Sequence, residues 1–283
     1  MKKFLNRLKR AVHKVTAPGH AFPRHALWER HRLATLPRYV ETTTNLPGFL
    51  FRIPDGPSFL ASWEEIFDRE IYCFDQTSVA PRILDCGANV GVSCLYFLKR
   101  FPNARITAFE PDPKVFAYLK DNLTNAGCTG IDLIPKAVWT SVATLQFQSE
   151  GADGGRIGNG EGKNIIKIAT VRLRDFLTES VDLLKIDIEG AETEVVLDIA
   201  PLLENVMNIF VEYHSFAGQP QTFGKLVQTL IEAGFRVQVH PMHVAPRPFI
   251  KVDSYMGMDM QLNIFGYRTA GKKELDSRMS ISA

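Results

Sequence analysis

The sequence predicts an α/β fold, doubly wound around a mostly parallel seven-stranded sheet, with a helical extension on its N-terminal side. Three observations predict it. From Arg82 onward, short apolar runs alternate with helical patterns, as in successive β-α-β units. Several of the runs are apolar throughout rather than at every second position, as strands are when helices cover both faces of a sheet. Finally, Arg82-Ile-Leu-Asp-Cys-Gly-Ala-Asn-Val-Gly91 carries a strand through a turn with glycines four apart into a helix starting near Val92.

Taken in order, residues 1–45 read as a basic, mainly helical arm. Phe4, Leu5, Leu8, Ala11, Val12 and Val15 share one face of a helix over 4–15, with basic residues opposite. Such a helix suits weak, peripheral contact with an anionic membrane, or equally a face of the body or of a second subunit. It lacks the apolar core and cleavage site of a secretory signal. Pro18, Gly19 and Pro23 break it, and a second helix follows from Arg24 to Leu36. Four of the seven histidines (His13, His20, His25, His31) fall in this arm without metal-ligand spacing.

Residues 46–80 read as a cap or edge segment: Leu46-Pro-Gly48 turns into a strand over 49–53, and Ser58 caps a short helix through Phe67. The main domain, 81–268, places strands at 82–86, 105–110, 131–138, 181–188, 206–213, 235–240 and 260–267. Helices fill 91–101, 113–126, 191–199 and 221–233, with Asn103, Gly127 and Gly234 as stops. Residues 142–149 and 163–171 do not fit the alternation and read as a β-hairpin around Gly151–Gly160. Five glycines in those ten residues describe a lid, with Asp153 near a cofactor, or a plain flexible tip. Residues 269–283 form a tail expected to be disordered.

Composition narrows the class. At 283 residues, 45% hydrophobic and 23% charged, the chain suits one large domain with an appendage. No run of eighteen apolar residues marks a membrane span. The net charge of +2 is uneven: the first forty residues hold ten Lys and Arg against Glu29, leaving 23 basic and 30 acidic residues in the body, a net of −7. An acidic body argues against nucleic acid as a partner. Cys73, Cys86, Cys94 and Cys128 form no C-x-x-C pair, which favours a reducing, cytoplasmic setting, peripheral to the inner membrane face if the arm binds there.

The glycine turn describes a nucleoside-cofactor pocket. Gly87 and Gly91 let backbone approach a ligand, and Glu110, nineteen residues after Gly91, ends the second strand where an acid accepts from ribose hydroxyls. A dinucleotide fingerprint is not met, because Asn89 and Val92 stand where its second and third glycines belong. Asp85 before the turn would repel a pyrophosphate but suits a cationic ligand, such as the methionine end of S-adenosyl-L-methionine. A nicotinamide-dependent oxidoreductase is the rival reading, and a glycine turn beside a merely solvated Glu110 is the plain one.

Asp85, Glu110, Asp187 and Glu212 each end a strand, so the fold gathers them on one rim. Ile186 and Ile188 point one way, while Lys185, Asp187 and Glu189 share the other face; Glu212 and His214 repeat the spacing on the next strand. If a methyl group moves to a hydroxyl, that hydroxyl needs a base or a metal. His214 is the first candidate base, by its near-neutral pKa. Asp187 is the second, or else holds cofactor or acceptor. Asp187, Glu212 and His214 could together ligate Mg²⁺, but the rim lacks the usual oxygen-rich Asp/Asn set, and no metal is assigned. In the structural alternative, Lys185, Asp187 and Glu192 form an ion-pair network beneath the pocket. Neither a D/N-P-P-[YF] turn nor a Pro-Cys pair is present, which leaves oxygen as the expected acceptor atom.

Four motifs in order, Asp85-Cys-Gly-Ala-Asn-Val-Gly91, Phe109-Glu-Pro-Asp-Pro113, Leu184-Lys-Ile-Asp-Ile-Glu-Gly-Ala-Glu192 and Val211-Glu-Tyr-His214, resemble those of the FkbM-type methyltransferases. These are class I, Rossmann-like enzymes that use S-adenosyl-L-methionine, mostly to methylate hydroxyls of sugars and natural products. The resemblance spans about residues 80 to 267. It implies cofactor contacts at Asp85, Gly87, Asn89, Gly91, Glu110, Pro111 and Asp187, and a reaction centre near Asp187, Glu189, Glu212 and His214. The acceptor it implies is a hydroxyl on a sugar, a glycan precursor or another small molecule. A non-catalytic module that merely kept the pocket is the remaining alternative.

Overall fold

The computed structural model describes residues 24–75, 78–149, 155–157 and 164–269. The expected helix at 4–15, Asp153 with most of the glycine-rich tip, and the tail from 270 onward lie outside the described residues. The N-terminal cap comprises α1 (Arg24–Thr35), a hairpin of β1 (Thr42–Thr44) and β2 (Phe51–Ile53), and α2 (Gly56–Trp63), which runs into a π-turn at Glu64–Asp68. The first half of the main domain is β3 (Arg82–Cys86), α3 (Val92–Arg100), β4 (Arg105–Phe109), α4 (Pro113–Asn125) and β5 (Ile131–Ile134). Next come β6 (Ala137–Trp139), β7 (Thr144–Gln148), β8 (Arg156–Ile157) and β9 (Ile165–Arg172). The second half is β10 (Val181–Ile186), α5 (Glu192–Ile199), β11 (Val206–Phe216), α6 (Phe223–Glu232), β12 (Arg236–His243) and β13 (Met258–Tyr267).

Seven strands form the main sheet in the order β12-β13-β11-β10-β3-β4-β5. The pairs from β11 to β5 are parallel, and β13 runs antiparallel between β11 and β12. The chain works outward from β3 to β5, then returns to lay β10 on the other side of β3. The crevice for a ligand therefore opens at the carboxyl ends of β3 and β10, where the direction of winding reverses.

Neighbouring residues of one strand feed opposite cores, as the two-residue strand period requires. Ile83 joins a core with Leu33, Phe51, Phe59, Trp63 and Leu119, while Leu84 joins one with Val138, Val195, Val211 and Leu226. The cap thus shares its core with α3 and α4 rather than forming a core of its own.

Some boundaries differ from expectation for identifiable reasons. Asp55, not Ser58, caps α2: its Oδ1 accepts from the Ser58 N–H at 2.8 Å, with proline in the first turn. The strand expected over 131–138 divides at Pro135, which has no N–H to give, and β6 leaves the main sheet to pair with β9. The expected hairpin is present as β7 and β9, antiparallel with Phe147 opposite Ile166. β11 runs on to Phe216, so His214 sits within a strand rather than after one. No helix among the described residues is long and apolar enough to cross a membrane.

Asn122 of α4, fully buried, ties the cap to the glycine turn. Its Oδ1 accepts from the Arg52 N–H at 2.7 Å, and its Nδ2 donates to the Arg52 and Val90 carbonyls at 2.9 and 3.0 Å. Asn122→Ala removes three hydrogen bonds and strands their partners, at about 1 kcal/mol each. Urea unfolding is expected to show a loss of about 3 kcal/mol.

Candidate active site

The turn after β3 hangs from the end of β4, because the N–H groups of Gly87 and Ala88 both donate to the Phe109 carbonyl. Gly87 has φ +91°, and a Cβ there would collide with the carbonyl oxygen of Asp187. Conformation and space both require glycine. Gly91, at φ +96°, is the N-cap of α3. Asn89 is also left-handed, at φ 48°, and turns its N–H onto Glu110 Oε2 at 3.1 Å. Glu110 Oε1 accepts from the Asp112 N–H at 2.9 Å. Burial pushes the Glu110 carboxyl up to about 8, against the pull of those two amides.

Asp85 is fully buried beneath the turn. Its Oδ2 accepts from the Ser93 hydroxyl at 2.5 Å and its Oδ1 lies 3.2 Å from Lys185 Nζ. Lys185 Nζ also donates to the Gly87 carbonyl at 2.7 Å and lies 3.4 Å from Asp187 Oδ2. The influence of Asp85 on the pocket is therefore relayed through Lys185 rather than by direct lining. Burial alone would discharge this lysine, but Asp85 and Asp187 outweigh it and keep the ammonium.

The expected network of Lys185, Asp187 and Glu192 is divided. Glu192 belongs instead to His214: its Oε1 lies 2.9 Å from His214 Nδ1 and also accepts from the Gly190 N–H at 2.9 Å. On the other side of the ring, Nε2 lies 3.6 Å from Glu189 Oε2, 3.8 Å from Glu212 Oε1 and 3.4 Å from Gln261 Nε2. Gln261, opposite His214 on β13, donates to Glu212 Oε1.

The His214 side chain is 1% exposed. Burial opposes its charge, but Glu192, Glu189 and Glu212 outweigh burial and hold its pKa well above that of a free imidazole. Burial and nearby Asp187 push Glu212 up to about 8, with His214 pulling the other way. These acids favour the protonated ring, and in that form it lacks the lone pair a base needs.

Two cavities meet here. One of about 390 Å³ is lined by Asp187, Glu212 and Gln261, together with Phe59, Glu65 and Tyr72 of the N-terminal segment and Tyr255 and Met256 of the β12–β13 link. A smaller one, about 80 Å³, is lined by Glu110, Pro111, Asp112, Val138 and Phe147. Gly87, Asn89, Asp187 and Glu189 line both, so they form the wall between the smaller recess beside Glu110 and the larger chamber.

Of the expected site residues, Gly87, Asn89, Glu110, Pro111, Asp187 and Glu212 reach these cavities, while Gly91, Asp85 and His214 support them from behind. Asp187, Glu212 and His214 each offer a ligand atom within 4.8 Å of one another. A cation there would find two oxygens and one nitrogen, but the nitrogen must first lose its proton. Sequence reasoning missed Glu65, Gln261 and the Glu192–His214 pair. Glu192 had a faint signal, as an acid in the first turn of a helix beside the rim; Gln261 had none, since register across β11 and β13 alone brings it there.

Residues 85–237, more than half of the chain, match the family described as the methyltransferase FkbM domain. Methyltransferase sdnD of Sordaria araneosa is 28% identical over 230 residues, which cover 66% of this chain and 86% of that one. 2-O-methyltransferase NoeI of Sinorhizobium fredii is 28% identical over 155 residues, covering 47% of this chain and 63% of its own. Hexuronic acid methyltransferase AglP of Haloferax volcanii is 31% identical over 139 residues, covering 46% and 55%.

Gly87→Ala pushes a methyl group into the Asp187 carbonyl. Calorimetry is expected to show at least a hundredfold loss of affinity for S-adenosylhomocysteine, about 2.7 kcal/mol. Gly48→Ala, equally left-handed at φ +97° but with nothing within 4 Å, should bind as the parent protein does.

Proposed function

The chain belongs to the FkbM family of S-adenosylmethionine-dependent methyltransferases, and we propose that it methylates a hydroxyl of a sugar, a glycan precursor or a similar small molecule. The observation that carries the acceptor reading is the shared wall. Asp187 and the glycine turn face the nucleoside recess on one side and, on the other, a chamber that holds Glu212. The name of one relative, a 2-O-methyltransferase, supports an oxygen acceptor, and that of another, a hexuronic acid methyltransferase, supports a sugar-derived one.

The residues present fit the cofactor. Gly87 leaves a space that any side chain would fill, and Glu110 presents a buried carboxyl whose partners so far are two amides. Gly87, Asn89, Gly91, Glu110 and Pro111 would hold the nucleoside, with Asp187 at the wall and Asp85 acting through Lys185. When bound, S-adenosylmethionine supplies a methyl group on a sulfonium that needs no further activation.

The protein's own work is to align the acceptor oxygen and to take its proton. We assign that proton to Glu212, which lines the chamber, with His214 as its charged partner and Glu192 fixing the ring. A carboxylate so paired accepts only once it is ionised, so the base form grows as pH rises through about 8. Asp187 then orients the acceptor hydroxyl or the donor across the wall. No metal is required by this assignment. For the basic arm we propose weak cytoplasmic-side contact with anionic membrane through residues 1–15.

With an accepted sugar, kcat/KM is expected to rise with pH to a plateau above about 8, and to survive EDTA. Glu212→Gln should lower kcat by roughly 10²-fold or more, the usual share of a general base. It should also remove the alkaline rise while leaving S-adenosylhomocysteine affinity in place. A limb that persists in Glu212→Gln would return the role to His214 or Asp187. Deleting residues 1–15 should lower sedimentation with anionic vesicles; unchanged partitioning would count against the membrane contact.

A further inference from the structure

The larger chamber is lined by more acidic than basic side chains: Asp55, Glu65, Asp187, Glu189 and Glu212 against Arg38 and Lys185. Both cations are engaged. Arg38 Nε lies 2.9 Å from Asp55 Oδ2, and Lys185 lies 3.2 Å from Asp85 and 3.4 Å from Asp187. Asp187 and Glu189 stand on the wall shared with the nucleoside recess, where a sulfonium's charge is met. Glu189 and Glu212 also flank the His214 imidazolium.

Glu65 has neither task. It lines the larger chamber alone, from the N-terminal cap, and is the one acid of the set carried by a turn of π-helix. Such turns are uncommon and recur at functional sites. Here the turn is closed by the Arg69 N–H on the Glu64 carbonyl at 3.0 Å and braced by Trp63 stacked on Phe67 at 4.1 Å. The cation nearest to Glu65 is Arg69, a loose pair at 3.7 Å whose own side chain is 59% exposed. Burial raises the Glu65 carboxyl to about 7, with Asp187 and Glu64 adding to the rise and Arg69 opposing it. A second positive charge brought into the chamber would relieve that strain; a second negative one would add to it.

We infer that the acceptor carries a protonated amine close to the hydroxyl that is methylated, and that Glu65 is the specificity-determining residue that receives the amine. The inference rests on the methyl-transfer reading above. It sets an amino sugar ahead of its N-acylated form, and both ahead of a sugar acid, which would meet a wall whose described cations are already paired. Tyr255, half exposed on the β12–β13 link, adds an aromatic ring to the chamber's lining.

The test uses the full chain saturated with S-adenosylhomocysteine and titrated with three disaccharides: glucosamine, N-acetylglucosamine and a hexuronate. The glucosamine disaccharide is expected to bind about tenfold more tightly than the N-acetylated one, and the hexuronate most weakly. Glu65→Gln should bring the first two within about twofold while S-adenosylhomocysteine affinity and thermal midpoint hold. Equal binding, a preference for the hexuronate, no binding of any disaccharide, or a preference that survives Glu65→Gln would overturn the inference. Failure of the methyl-donor reading would show separately, as absent binding of S-adenosylhomocysteine before any sugar is added.

Discussion

One buried ammonium sets the geometry of the site. Lys185 is 2% exposed, and a charge in that position persists only if its neighbours neutralise it and accept its hydrogens. The parallel register places it opposite Asp85 on β3, and the end of its own strand, two residues on, brings Asp187 to its other side. Its third partner is the Gly87 carbonyl, so the same side chain that pairs the two acids also anchors the glycine turn. The Asp187 N–H donates to the Cys86 carbonyl at 3.0 Å, which draws the two strand ends together. That closeness is why no side chain is tolerated at Gly87.

A second buried cation repeats the scheme one strand away, with a difference that matters chemically. Lys185 keeps its proton at any physiological pH and serves as a fixed post. His214 sits among Glu192, Glu189 and Glu212 and has a proton that it can share with them. One centre gives position and the other gives exchange. Glu192 keeps the two apart in function, since it is bound to His214 and to the Gly190 N–H instead of joining the lysine.

Much of the fold was legible because it rests on local patterns. Runs of apolar residues, Gly127 and Gly234 as helix stops, and the Gly87–Gly91 turn mark the strands and helices of the main sheet within a few residues. The breaks were harder to place. Pro135 splits one expected strand into β5 and β6, and only the pairing of β6 with β9 shows where the second piece goes. In the site, expected strand ends named Asp85, Glu110 and Asp187 from the sequence pattern alone; Glu212 was named in the same way, but β11 runs on to Phe216 and holds it inside the strand. Which carboxylate pairs with which cation did not follow, because that depends on register and on the turn at Glu189 and Gly190, both left-handed. The protonation of His214 was illegible for the same reason: three acids from three different segments decide it. Glu65 lies more than a hundred residues from Asp187 and Glu212, with no motif around it.

The chamber's outer wall has a separate origin from its floor. The floor is the sheet and its glycine turn; the wall comes from the cap and from the link between β12 and β13, residues 244–257. These two segments meet above the opening, where Arg38 Nη1 donates to the Tyr255 hydroxyl at 3.4 Å. Neither contributes a strand to the centre of the sheet. Inheritance can therefore rewrite the wall while the floor stays as it is, and descendants of one ancestral chain can diverge in what they modify without relearning how to hold the donor.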